Sequence, residues 1–302
     1  MIIIKLQGGL GNQMFQYAFA LFLKKHYNSD VYLDKRYFDK AQKEIIDNSG
    51  KNKYGVCIRK FELDIFKNLS IPIYSCNHSL KDKIFKSIKP LKKIFFRYFT
   101  EKDAFSTDER FYKLKNIIKT KKVFIDGYFQ NEGYFKKYAN DIKNSFILPP
   151  IKSNDTYNQN LLKKIQSCEN SVFVHVRRED YVNLGLSISK DYYKKSIAYI
   201  KSKISNPHFF VFCAEDPEYI KQNFNFDVDW ELVGEKNKGE DVFYENMRLM
   251  MACKHAIIAN SSYSWWAAWL SDNPNKIVIA PSPWMYDSDS IICDNWKKIS
   301  SK

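Results

Sequence analysis

The sequence predicts an α/β protein in two halves, each built around a parallel sheet, and three observations point there. Ile2–Leu6 reads as a short apolar strand that runs into Gly8-Gly9, then a stretch of helical spacing, then Val31-Tyr32-Leu33 as a second strand. Strand, glycine turn, helix and strand in that order belong to a layered fold with a parallel sheet. The same alternation resumes after residue 171. Finally, 302 residues are long for one core and typical of two domains.

In the first half, Asn12 to Lys25 places Met14, Tyr17, Ala18, Leu21 and Phe22 at helical spacing. The stretch 35–120, rich in Lys, Tyr and Phe, is expected to mix helices with long loops. Within it, 81–99 interleaves Lys81, Lys83, Lys86, Lys89, Lys92, Lys93 and Arg97 with apolar residues, and Pro90 breaks the helical pattern. That segment reads either as a surface for anionic lipid headgroups or as a solvated helix pair with its apolar stripe turned inward. Val123 to Gln130 reads as a strand and its following loop.

Leu148-Pro149-Pro150, followed by the polar stretch 152–160, marks the boundary and divides the chain into 1–150 and 151–302. Beyond it, strands are expected at Ser171–Val176, Phe209–Cys213 and Ala256–Ala259, with a last one at Lys276–Ala280. Helices are expected at Tyr192–Lys203, near Glu218–Phe224, at Asp241–Cys253 and at Ser262–Leu270.

Apolar residues at 45% and charged residues at 27% describe a folded chain and exclude a disordered one. A formal charge of +14 favours anionic partners, whether nucleic acid, an anionic membrane face or a phosphorylated small molecule. No apolar run approaches the ~18 residues that a membrane-spanning helix needs. Met1-Ile-Ile-Ile-Lys5 passes straight into a strand and lacks the features of a signal peptide, which places the protein in the cytoplasm. Six widely spaced cysteines without a Cys-x-x-Cys pair argue against zinc and against a disulfide framework.

Three strings carry the chemistry. Arg177-Arg178 follows the apolar strand Ser171–Val176, and two guanidiniums at a strand's carboxyl end suit an anion. Asn260-Ser261-Ser262 joins another apolar strand to a helix start, where free N–H groups and the helix dipole also attract an anion. The alternative reading of those serines is simple N-capping, and both can hold. Two anion sites at strand ends in one half suggest a diphosphate held from two sides. The third string, Gly8-Gly9-Leu10-Gly11-Asn12, lets backbone approach a ligand closely.

Gly9 and Gly11 match two glycines of the dinucleotide fingerprint, with Asp34 where a ribose ligand is expected; Met14 stands at the third glycine's place. Nicotinamide chemistry is therefore the second reading, and a basic nucleic-acid-binding protein the third. Asp227-Val-Asp229 and Asp287-Ser-Asp289 follow no clear apolar strand, so no metal is expected.

Gly-Gly-Leu-Gly-Asn-Gln-Met-Phe-Gln-Tyr-Ala at 8–18, His-Val-Arg-Arg at 175–178 with Asp180-Tyr181, and Asn-Ser-Ser-Tyr-Ser-Trp-Trp at 260–266 resemble the α-1,2-fucosyltransferases of glycosyltransferase family 11. Gly127-Tyr-Phe-Gln130 and Cys253-Lys-His255 resemble the same family. The resemblance runs from near the first residue to about Trp284.

It implies a GT-B-type fold, two Rossmann-like domains facing a cleft, with 1–150 binding acceptor and 151–302 binding donor. It implies GDP-β-L-fucose as donor, inverting transfer without metal or cofactor, and a terminal galactoside as acceptor. Such an acceptor suits a lipid-linked surface polysaccharide precursor, with peripheral contact at the anionic inner membrane face and no nucleic-acid partner.

Carried onto this sequence, the resemblance puts Arg177 on the β-phosphate with Arg178 beside it, and His175 near the nucleotide. Ser261 and Ser262 hold phosphate, Gly11 and Asn12 lie near the donor sugar, and Glu245-Asn246 stand where relatives carry an acidic pair toward guanine. Glu179 replaces the glycine that relatives show after the arginines. Asp180 is a candidate to take the proton of the attacking hydroxyl; its other role is to orient an arginine by salt bridge.

Overall fold

A computed structural model describes residues 1–41, 59–74, 97–100, 123–178, 181–182, 184–213, 216–224, 228–233, 242–285 and 288–302. They form two compact units, Met1–Ile147 and Leu148–Lys302.

In the first unit, strands β1 (Ile2–Lys5), β2 (Val31–Asp34), β3 (Arg97–Thr100) and β4 (Val123–Asp126) make a parallel sheet in the order β2-β1-β4-β3. Helix α1 (Leu10–Tyr27) lies beside β1 and β2 and is buried nearly all round, from Leu10 through Leu23 except Asn12. It ends at Asn28, whose φ of 47° is the left-handed conformation that commonly stops a helix. Short helices α2 (Arg36–Ala41) and α3 (Ala139–Ser145) complete the described part of this unit.

The second unit opens with α4 (Thr156–Ser167) and holds β5 (Ser171–His175), α5 (Lys190–Lys201), β6 (His208–Phe212), α6 (Pro217–Asn223) and β7 (Trp230–Val233). There follow α7 (Val242–Ala252), β8 (His255–Ile257), α8 (Ser262–Leu270), β9 (Val278–Ser282) and β10 (Lys297–Ser300). The six strands are all parallel, in the order β10-β9-β8-β5-β6-β7.

β5 is buried at every residue, as a strand covered on both faces must be, so its sequence reads as an unbroken apolar run. Tyr192, Tyr193, Ile197 and Ile200 of α5 pack onto this sheet, each worth roughly 1.5–3 kcal/mol when fully buried. The Tyr192 hydroxyl donates toward the Ile258 and Ile279 carbonyls at 2.7 and 3.1 Å, tying the ends of β8 and β9 together. Burial raises that phenol well above its ordinary pKa.

Several expectations need correction. Helix α4 is not among the expected elements, yet it starts inside the polar stretch 152–160: Asp155 accepts from the Asn158 amide at 3.1 Å, and Leu161 and Ile165 bury one stripe. Two apolar residues four apart suffice here, too few to stand out in the sequence. The strand starting near residue 276 is not the last, since β10 adds beside β9. Lys276 itself lies before β9, where its ammonium donates to the Ala268, Trp269 and Ser271 carbonyls at the end of α8. Of the basic segment 81–99, its end belongs to strand β3 and not to a helix, because it pairs with β4; the remainder lies outside the described residues. Among the described residues no helix is long and apolar enough to cross a membrane.

Candidate active site

In the second unit the expected residues gather where β5 and β8 end. These strands are parallel neighbours with Val174 opposite Ile257, so the loops that follow them leave one sheet edge side by side, about 4.8 Å apart at the strands. His175, the last residue of β5, is 7% exposed. Burial and the nearby Arg177 charge lower its pKa to about 3, so the imidazole stays neutral near pH 7. Its Nδ1 is buried without a hydrogen-bond partner among the described residues, and its ring centroid lies 6.0 Å from that of Tyr263 in the first turn of α8.

Arg177 follows two residues later and is half-buried. Its guanidinium lies 5.5 Å from the centroid of Tyr181. The Tyr181 hydroxyl donates to the Asn260 carbonyl at 3.2 Å, and the Asn260 side chain donates to Leu186 O at 2.9 Å. The Leu186 amide in turn donates to Tyr181 O at 2.9 Å. The arginine loop and the loop after β8 are thus one hydrogen-bonded assembly, built on Tyr181, which the sequence motif contains but to which it assigns no role. Asn260 Oδ1, also buried, has no partner among the described residues.

Ser261 is the N-cap of α8, with extended backbone and 8% exposure, yet its side chain makes no capping hydrogen bond. Its carbonyl accepts from Trp265 N at 3.0 Å and Ser264 Oγ at 3.3 Å, which starts the helix. The N-capping reading of Ser261 therefore does not hold. Ser262, half-buried, is the first helical residue. Trp265 and Trp266 are fully buried, and Trp265 Nε1 donates to Ile291 O at 2.8 Å, so the helix tip rests on a fixed base. A helix start whose N-cap side chain makes no capping bond still turns the positive end of the helix dipole toward an anion.

Arg178 departs from the paired grip. Its Nε donates to Asp216 Oδ2 at 2.9 Å and its guanidinium stacks 3.5 Å from the Tyr219 centroid. Asp216 also caps α6 by accepting from Tyr219 N at 3.1 Å, so Arg178 fixes the start of that helix. Glu245, 3% exposed, accepts from Arg248 Nε at 2.8 Å, and Arg248 also donates to Pro149 O. That carboxylate is held inside α7 by Arg248, and Asn246 beside it is buried. Asp180 and Glu179 lie outside the described residues.

In the first unit, Gly11 is buried in the first turn of α1, and Asn12 Oδ1 accepts from Gln130 Nε2 at 2.7 Å. The nicotinamide reading fails at Asp34. Arg36 takes both carboxylate oxygens, with Nε to Oδ1 at 2.8 Å and Nη2 to Oδ2 at 2.7 Å, and its own amide adds a third bond. No ribose hydroxyl can displace that fork cheaply. Of the two Asp-x-Asp strings, Asp227 and Asp287 lie outside the described residues. Asp229 pairs with His208, and Asp289 accepts from Ser282 Oγ and Trp284 N.

The family model for glycosyl transferase family 11 matches residues 1–300. An alpha-1,2-colitosyltransferase of Escherichia coli is 32% identical over 300 residues, covering 94% of this chain and 92% of the relative. The O-antigen biosynthesis glycosyltransferase WbnK of Escherichia coli is 28% identical over 316 residues, covering 96% and 98%. Among solved structures, a mutant of Arabidopsis thaliana FUT1 in complex with GDP aligns with a TM-score of 0.52 at 9% identity, over 95% of this chain and 74% of that one. That likeness is one of fold: two Rossmann-like α/β units of the GT-B type.

Proposed function

The chain belongs to glycosyl transferase family 11, and on that footing we propose that it moves L-fucose from GDP-β-L-fucose to the 2-hydroxyl of a terminal galactoside. The transfer inverts the anomeric centre and uses neither metal nor cofactor. The single observation that carries the reading is the shared edge of β5 and β8, where Arg177 and the start of α8 leave together. Breaking the bond to the anomeric carbon throws charge onto the leaving β-phosphate. A guanidinium and a helix tip held in place bind that charge more tightly as it grows, which is the condition for catalysis.

His175 contributes by staying neutral beside Arg177. It adds a polar ring to the phosphate pocket without competing for the proton balance. Arg178 acts at one remove, as a positioning residue, by locking α6 through Asp216 and Tyr219. Asp180, three residues after Arg177 in the sequence, takes the acceptor proton or orients the arginine; in Asp180→Asn a base role predicts loss of the acid limb of the pH–rate profile, and an orienting role predicts that the limb persists at lowered rate.

The relative that transfers colitose favours one second reading, a dideoxyhexose donor. Incubating the protein with GDP-fucose and GDP-colitose over a galactoside panel, with and without chelator, and locating the new linkage by NMR decides between them. Product from GDP-fucose that persists in chelator supports the proposal; product only from the other donor, or a linkage other than α-1,2, overturns it. We further place the protein in the cytoplasm against the inner membrane face, where its charge of +14 meets anionic lipid and the acceptor is a surface polysaccharide precursor. Co-sedimentation with anionic but not neutral vesicles is the expected result.

A further inference from the structure

We infer that the carboxyl edge of the first unit's sheet holds a saccharide subsite walled by Tyr37 and Tyr128, which takes an uncharged pyranose of the acceptor glycan. The sugar's role as acceptor rests on the transfer reading above; its binding does not.

Two tyrosines stand at this edge 40% exposed, in a unit whose other large side chains are mostly buried. Tyr37 lies just after β2 and Tyr128 just after β4, on either side of β1. Two strand spacings, about 10 Å, separate their parent strands. Lys5, at the end of β1, connects them: its ammonium lies 5.8 Å from the Tyr37 centroid and 2.9 Å from Asp126 Oδ2, two residues before Tyr128.

The loop that carries Tyr128 is under strain. Phe129 has φ of 53°, a conformation that a bulky side chain rarely adopts. It is held there because its ring is fully buried and stacks on Phe19, centroid to centroid 4.1 Å. Bonds on both sides fix the loop further, from Gln16 Nε2 to Gly127 O at 3.0 Å and from Gln130 Nε2 to Asn12 Oδ1 at 2.7 Å. Burying Phe129 in this way leaves its neighbour Tyr128 outside. Strain that a fold maintains is commonly found at ligand clamps.

The chemistry of the edge selects the ligand. An exposed phenol ring is a surface for the apolar C–H face of a pyranose, and carboxylate and amide groups beside it match the hydroxyls at its rim. Asp126 accepts from both Lys5 and Gln7 Nε2, the latter at 3.0 Å, and presents a fixed polar rim. Lys5 pairs with Asp126 and Arg36 with Asp34, while Lys35 stands exposed beside Tyr37. A neutral hexose uses the ring faces and the paired rim without calling on that charge, and the glucuronide arm of the test reads whether Lys35 draws an anion instead.

Saturation-transfer NMR on the full chain without donor reads the subsite directly, using methyl β-galactoside, methyl β-glucoside and methyl β-glucuronide. Transfer to the C–H groups of one face of a neutral glycoside, lost in Tyr128→Ala and kept in Tyr128→Phe, is the expected result. In the transfer assay Tyr128→Ala and Tyr37→Ala each raise the acceptor KM about tenfold, with the donor KM unchanged within twofold. Absence of any signal from the neutral glycosides, equal signal from the glucuronide, or mutants whose acceptor KM stays at the wild-type value overturns the inference. If instead GDP-fucose is no donor, the NMR result still stands or falls by itself. Should Tyr128→Ala fail to fold, Tyr37→Ala and Tyr128→Phe carry the same test.

Discussion

The chain contains two strand–turn–helix junctions that look alike in sequence, β1 to α1 and β8 to α8, and they are built to opposite ends. At the first, the helix's own polar side chains fill the turn. Gln13 donates to Gly8 O and Lys60 O and accepts from Glu62 N, while Gln16 accepts from Gln7 N and donates to Gly127 O. At the second, the N-cap serine makes no side-chain bond to its helix, as Gly9 makes none at the first, and the Asn260 side chain reaches across to Leu186 O in the neighbouring loop. The first junction is a joint that ties loops together. The second leaves the buried Asn260 Oδ1 without a partner among the described residues, as the proposed phosphate site requires. Glycine alone at a strand end therefore does not mark a phosphate site; what counts is whether the neighbouring side chains already use the backbone groups.

The largest effect should come from the second junction. Arg177→Ala is expected to lower kcat about a hundred- to a thousandfold with an unchanged melting temperature, as measured by steady-state transfer and thermal unfolding. A mutant that loses both fold and activity would make Arg177 structural and erase the contrast. The first junction should respond the other way. Gln16→Leu leaves Gln7 N and Gly127 O without their partner, at about 1–3 kcal/mol for each group left buried, read by chemical denaturation.

Next comes Gly8→Ala, where φ is 78° and an added Cβ falls 2.5 Å from Asn12 Nδ2. Asn12 can yield only by giving up Gln130, so a loss of about 1–3 kcal/mol in stability is expected, with the KM for donor shifting less than for Ser262→Ala.

Stability should also depend on pH. His175 titrates near its ordinary 6.5 in the unfolded chain and about 3 in the native one. Between those values the unfolded state binds the extra proton, so stability falls as pH drops below 6.5, by up to about 1.4 kcal/mol per unit. Denaturation curves between pH 7 and 4 should show this limb in the wild type and a flatter one in His175→Gln. Equal slopes would mean that the imidazole is not buried as described.

Local patterns were legible. Helix α8 begins and ends at the expected residues, Ser262 and Leu270, because a strand, two serines and a run of tryptophans leave little choice. The β5 strand, the helix after it and the glycine turn could be read for the same reason. What escaped depends on partners far along the chain. Arg178 reads as a twin of Arg177 until Asp216 and Tyr219, some forty residues on, claim it. Neighbours just past a strand tend to point to opposite sides, and that rule alone could have separated the two. The partner of Glu245 was closer to hand, since Arg248 three residues later on a helix is a standing offer of an ion pair. Strands β7 and β10 are short, polar outside and recruited by a sheet already formed.

The outermost strand of the larger sheet has one more consequence. β10 shows Lys297, Lys298 and Ser300 to water, and Tyr199 carries the Lys297 ammonium 5.2 Å from its ring centroid. A second molecule approaching that rim to extend the ladder would set lysine against lysine, strip the Lys297 ammonium of hydration and crowd the Lys298–Asp289 pair, 3.3 Å apart. The rim thus discourages fibre-like stacking with charged side chains alone, and needs no covering helix to do it.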